Sequence, residues 1–207
     1  LYADFVMETD AIVGRVLSAV ETSGETQDTL VIFTSDNGCA PYIGVEELES
    51  NGHYASGDLR GYKSDVWEGG HRVPFIVRWP KVVEPGSTND QLVHQADLMA
   101  TFASIFERRL PDSAGEDSFS ILSLFKGSPD PIRKYAVSCS AKGLPGIRAG
   151  AWKLILGPGS GGWAKGSEDE AIQLYNLEKD LGETQNLAQK SPDTVAYIQA
   201  VYESMIR

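Results

Sequence analysis

Residues 29–38, TLVIFTSDNG, form a continuous apolar, β-rich run that stops abruptly on Ser35, Asp36, Asn37 and Gly38. An apolar run without alternation suits a strand covered on both faces, as in a parallel sheet. Its ending has two readings. Asp, Asn and Gly are turn residues, and Asn-Gly between apolar runs signals a hairpin. Asp and Asn also offer hard oxygen ligands to a divalent cation. The following residues, CAPYIGVEELES, do not alternate as a returning strand would, and Pro41 would interrupt a ladder. The hairpin reading weakens, and a strand-end site stays open beside a plain turn.

Upstream, Phe5, Ile12, Val13, Val16, Leu17 and Val20 recur at helical spacing, with Ser23-Gly24 as a stop. Helix then strand makes an α/β unit. The stretch from Gly38 to Gly70 has little periodicity and reads as a long functional loop. VPFIVRWP is a further strand, and Asp97 is placed to cap a helix over LMATFASIFERR. From Tyr135 the character changes to short strand-like pieces, YAVSCS, GIRAG, AWKLILG and AIQLYNL, separated by Gly-rich turns. Ser191 and Pro192 open a last helix with Val195, Ile198, Val201, Tyr202 and Met205 on one face, expected to close the small antiparallel sheet. Two domains are expected, 1–133 and 134–207.

Eighteen Lys and Arg against 29 Asp and Glu give a formal net charge of −11, which disfavours nucleic acid and anionic membrane surfaces as partners. Nothing approaches the ~20 apolar residues of a membrane span. Two cysteines, Cys39 and Cys139, permit one disulfide or none and have no metal-ligand spacing. The chain opens on Leu1 and runs at once into helix pattern, so an N-terminal part of the same domain is expected to precede it.

Against this acidic background, LRGYKSDVWEGGHRVP, residues 59–74, gathers Arg60, Lys63, His71 and Arg72 among three glycines. A lysine ammonium near a divalent cation is repelled unless an anion lies between them, and an anionic ester would be held by both. The plainer alternative is that Lys63 and Arg72 pair with Asp58, Asp65 or Glu68 on a solvated loop.

The combination LVIFTSDNG, LRGYKSDVWEGGHRVPFIVRWP, GIRAGAWKLI and LYNLEKDLGETQNLA resembles the sulfatase family of the alkaline phosphatase superfamily, in its C-terminal portion, over nearly the whole chain. The resemblance implies the C-terminal part of an alkaline-phosphatase-like α/β sandwich, followed by a small antiparallel subdomain with a closing helix. It implies that Asp36 and Asn37 bind Ca²⁺ or Mg²⁺ and that Lys63 contacts the sulfate group. His53, in the loop between the motifs, is then a candidate substrate contact. The family nucleophile is a formylglycine made within Cys/Ser-x-Pro/Ala-x-Arg. Neither Cys39-Ala40-Pro41-Tyr42-Ile43 nor Cys139-Ser140-Ala141-Lys142-Gly143 supplies the Arg. The formylglycine is therefore expected only in the missing N-terminal part, and the chain is expected to be inactive alone.

The implied activity is hydrolysis of a sulfate ester, aryl or carbohydrate, in a periplasmic, extracellular or lysosomal setting. A phosphodiester or phosphonate ester hydrolase of the same superfamily is one alternative. A non-catalytic anion- or sugar-binding protein is another. His71 is read as holding its segment together, His94 as making local hydrogen bonds, and the four Trp residues as core or pocket wall.

Overall fold

The computed structural model describes residues 2–167 and 169–206; the outer ends of the two expected domains, Leu1 and Arg207, lie outside them. The first elements are helix α1 (Tyr2–Thr22), strand β1 (Val31–Thr34), a 3-10 turn (Pro41–Ile43), α2 (Val45–Ser50) and α3 (Glu68–His71). Next come β2 (Phe75–Arg78), α4 (Asp97–Ile105), α5 (Leu122–Phe125) and the strands β3 (Tyr135–Cys139) and β4 (Pro145–Ala149). Strands β5 (Trp152–Ile155) and β6 (Gln173–Asn176) and helix α6 (Pro192–Met205) complete the order. The chain divides into two compact units, one of residues 1–34 with 75–132, the other of 35–74 with 133–207.

In the first unit β1 pairs antiparallel with β2, Val31 opposite Arg78 and Thr34 opposite Phe75. The parallel neighbour expected for β1 is not found: among the described residues this is its one ladder. A continuous apolar run reports apolar faces and says nothing of the neighbour's direction, which is set by how the chain returns. Alternation sorts the side chains. Phe75 and Val77 join Leu30 and Trp79 on a core centred on Ile121, Leu124 and Phe125, while Phe33 and Ile76, directly opposed, are exposed. Helix α1 ends at Ser23-Gly24 as the pattern predicts, Gly24 taking φ 78, and none of its described residues is buried.

Asp97 does not cap α4 from outside. It is the helix's first residue, and its fully buried carboxylate accepts the N–H of His94 (2.8 Å) and of Phe119 (3.0 Å). Thr101 donates its hydroxyl to Asp97 O and accepts the Ile121 N–H, so one turn of helix anchors the approach to α5.

The second unit is built on the antiparallel meander β3-β4-β5-β6. Period-two alternation gives the sheet two covered faces. Ile147, Leu154 and Leu174 meet Ile198 of α6, with Val195 and Tyr202 flanking it. Ile155 and Tyr175, from the opposite set, meet Val66 and Trp67 of the 59–74 segment. Ser191 stands at the N-cap position of α6 but makes no side-chain cap, and Met205 is exposed. Among the described residues no helix is long and apolar enough to cross a membrane. Cys39 and Cys139 are both free thiols.

Candidate functional site

The Ser35-Asp36-Asn37-Gly38 ending is not a hairpin turn. Gly38 N–H donates to Gly70 O at 3.0 Å, and a side-chain carbon on Gly38 would overlap the Gly69 carbonyl. Glycine is therefore required by the close passage of the Gly69-Gly70 backbone. Ser35 Oγ donates to Asn37 O, and Asn37 Nδ2 donates to Gly38 O, both at 3.0 Å. With its amide nitrogen engaged, Asn37 has Oδ1 left as acceptor beside the exposed Asp36 carboxylate. This donor set is two residues with at most three oxygens, all suited to a hard cation that takes about six to eight. No group of three or more His, Cys, Asp or Glu able to hold a metal occurs among the described residues.

Lys63 is tied to the same neighbourhood through the backbone: its N–H donates to Cys39 O at 2.8 Å, two residues beyond Asn37. The other cations of its segment are occupied. Arg60 lies 3.6 Å from the centroid of the Trp67 ring and donates to Glu183 O (2.6 Å) and to the Tyr175 hydroxyl (3.2 Å). Arg72 pairs with Glu68 at 3.4 Å. His71 Nε2 lies 3.0 Å from Val66 O and 3.2 Å from Lys153 Nζ, holding its segment as anticipated. Among the described residues the Lys63 ammonium makes no hydrogen bond or ion pair, so the pairing with Asp58, Asp65 or Glu68 is found for Arg72 and not for Lys63.

Beneath this segment lies a buried charge cluster with little trace in the sequence. Lys153, 1% exposed, reaches Glu68 Oε1 at 3.0 Å and Glu183 Oε1 at 2.9 Å, the latter a charge contact without hydrogen-bond alignment. Glu183 Oε2 accepts the Glu68 N–H at 2.7 Å, and Arg148 stands 3.8 Å from Glu68. Burial pushes the Glu68 carboxyl up, but Lys153, His71 and Arg148 outweigh it and hold the group below its ordinary value. Glu183 goes the other way: burial raises it, and the Lys153 ammonium offsets only part. The one signal available beforehand is Lys153 itself, a charge inside the apolar strand WKLI, opposite in parity to Leu154.

Trp67 is core, and its Nε1–H donates to Gln173 Oε1 at 3.1 Å; Trp163, 62% exposed, is not core. Burial and a hydrogen bond to Glu49 Oε1 (2.7 Å) push the Tyr62 hydroxyl up to about 12. His53 sits exposed after α2, its N–H donating to Leu48 O at 2.9 Å. His94 accepts the Ala96 N–H at Nδ1, the local bond anticipated for it.

Residues 1–107 match the family model described as sulfatase, and residues 62–206 match that of N-sulphoglucosamine sulphohydrolase, C-terminal. The chain is 32% identical to the N-acetylgalactosamine-6-O-sulfatase of Bacteroides thetaiotaomicron, over 98% of this chain and 41% of that protein. It is 30% identical to human arylsulfatase A, over 90% of this chain and 38% of that one. A solved Bacteroides thetaiotaomicron structure from multiple-glycosaminoglycan metabolism superposes with a TM-score of 0.87 at 30% identity, covering 98% of this chain and 44% of its own. The chain thus spans about two fifths of the relatives it matches.

Proposed function

This chain belongs to the sulfatase family, and from that premise we propose that it carries the anion-binding side and part of the cation site of a sulfate ester hydrolase. The observation that supports this best is the contrast at residues 59–74: Arg60 and Arg72 are held by protein groups, whereas Lys63 carries a charge with no protein partner among the described residues. An ammonium left open on a residue whose backbone is bonded two residues past the Asp36-Asn37 pair suits a sulfate group shared with a divalent cation. Asp36 and Asn37 would hold Ca²⁺ or Mg²⁺, which neutralises charge on the ester oxygens when bound. Lys63 would stabilise the charge that develops on the sulfate as the ester bond breaks. The nucleophile must come from residues outside this chain, which by itself is expected to show no turnover. A sulfated amino sugar is the first substrate to test, because a relative similar along nearly all of this chain is named for one.

In the complete enzyme, Lys63→Ala should lower kcat by about 10²- to 10³-fold with an unchanged melting temperature. Lys63→Arg should rescue poorly, since a planar fork presents its donors differently from a compact ammonium. Equal kinetics for folded Lys63→Ala and parent would remove Lys63 from the site.

A further inference from the structure

Resting on the assignment of Lys63 to the sulfate group, we infer that Asp65 is a positioning residue for the Lys63 ammonium: its buried carboxylate closes a strained turn around Lys63 and ties that turn to the 160–164 loop. Lys63 and Ser64 are the two central residues of a turn closed by the Asp65 N–H donating to Tyr62 O at 2.9 Å. Ser64 takes φ 79. A turn with a positive φ at its third residue ordinarily places Gly there. For a residue with a Cβ the left-handed conformation costs about 1–2 kcal/mol, and it persists only where the surroundings enforce it.

Here they do, from three directions. Asp65, 2% exposed, accepts the Tyr62 N–H at Oδ2 (2.8 Å) and the Ala164 N–H at Oδ1 (3.0 Å). Ser64 O accepts the Ala141 N–H from the β3–β4 connection (2.9 Å), and Val66 N–H donates to Ser160 O (2.9 Å). Lys63 N–H donates to Cys39 O (2.8 Å), just past the strand-end turn. Gly162 lies so close that a Cβ there would overlap Ser64 O and Asp65 Oδ1. Restraint thus converges on the backbone on either side of Lys63, while its ammonium takes part in none of these bonds. A turn serving stability alone has no need of a strained Ser64. A turn that must present one ammonium in one place does, because a misplacement of about 1 Å can cost about 10²-fold in rate. Asp65 carries the arrangement because both its oxygens are used: Asp65→Asn would turn one acceptor into a donor facing a backbone N–H.

The test is a double-mutant cycle in the complete enzyme. Asp65→Ala and Asp65→Asn are each made in the parent and in the Lys63→Ala background, with circular dichroism melts alongside kinetics on whichever of a sulfated amino sugar and an aryl sulfate the parent turns over. In the parent, kcat should fall by about 10- to 100-fold in folded protein, with KM changing less. In the Lys63→Ala background the same substitutions should add less than about threefold, because a residue acting through Lys63 has nothing left to act on. Unchanged kcat in folded Asp65 variants, or equal losses in both backgrounds, would overturn the positioning role. Should Asp65→Ala not fold, Asp65→Asn and Gly162→Ala carry the cycle; failure of all three to fold would make Asp65 a folding residue and overturn the inference as well. A parent enzyme without turnover on either an aryl sulfate or a sulfated amino sugar would overturn the sulfate ester reading first, and this inference with it.

Discussion

Lys153 joins two buried carboxylates that would otherwise repel each other, and its removal has a definite sign. Lys153→Met keeps the bulk but leaves Glu68 and Glu183 buried without their shared cation, which should cost about 3–5 kcal/mol in chemical denaturation. The two acids differ in pH dependence. Glu68 is held below its ordinary value, so its contribution is present above the unfolded carboxyl pKa of about 4.3 and is lost as pH falls through the depressed value. Glu183 is raised, so its contribution is present below about 4.3 and is lost as pH rises through the elevated value. Melting profiles should therefore diverge: the deficit of Glu68→Gln shrinks on acidification, and that of Glu183→Gln shrinks as the pH rises toward neutral. Parallel profiles for both variants would contradict this assignment. At the surface, the exposed Lys81–Asp28 pair should matter little, Lys81→Ala changing stability by less than about 1 kcal/mol.

Among the elements, the connection between β1 and β2 is shaped by backbone passing backbone. A methyl group on Gly38 meets a carbonyl that no rotamer can move aside, so Gly38→Ala should destabilise by about 1–3 kcal/mol. Gly14, mid-helix in α1 with nothing within 4 Å of a built Cβ, is the opposite case, and Gly14→Ala should stabilise by about 1 kcal/mol. The turn at Ser64 gives a third comparison. Ser64→Gly relieves the left-handed strain and should be neutral or slightly stabilising, its gain partly offset by a freer unfolded chain. Ser64→Val, β-branched at positive φ, should cost more than about 1 kcal/mol. Thermal melts that rank Ser64→Val at or above Ser64→Gly would refute the turn geometry.

At the scale of the whole molecule, one segment rich in cations belongs to a chain of net charge −11, and the proposed cation site has two ligand residues in this chain. The chain alone should therefore bind Ca²⁺ weakly, and titration calorimetry showing tight stoichiometric binding that survives Asp36→Ala would remove Asp36 from that site. Much of the architecture was legible in local pattern. The α1 stop at Ser23-Gly24, the β-rich runs of β1 and β2, the four short strands after Tyr135 and the Pro192 start of α6 all rest on periodicity and turn chemistry, which act within a few residues. The motifs at 30–38 and 59–74 were equally visible, because their residue types are written consecutively. Tertiary structure alone decided the rest. The antiparallel partner of β1, the grouping of residues 35–74 with the C-terminal sheet, and the contacts of Glu68 with Lys153 and Glu183 join residues far apart in sequence. Such pairings depend on which backbones can approach and which buried charges must be neutralised, and no local window of the chain records either. The same distinction separates Lys63, named by its motif, from Asp65, whose two hydrogen bonds exist only once Ala164 has been brought beside it.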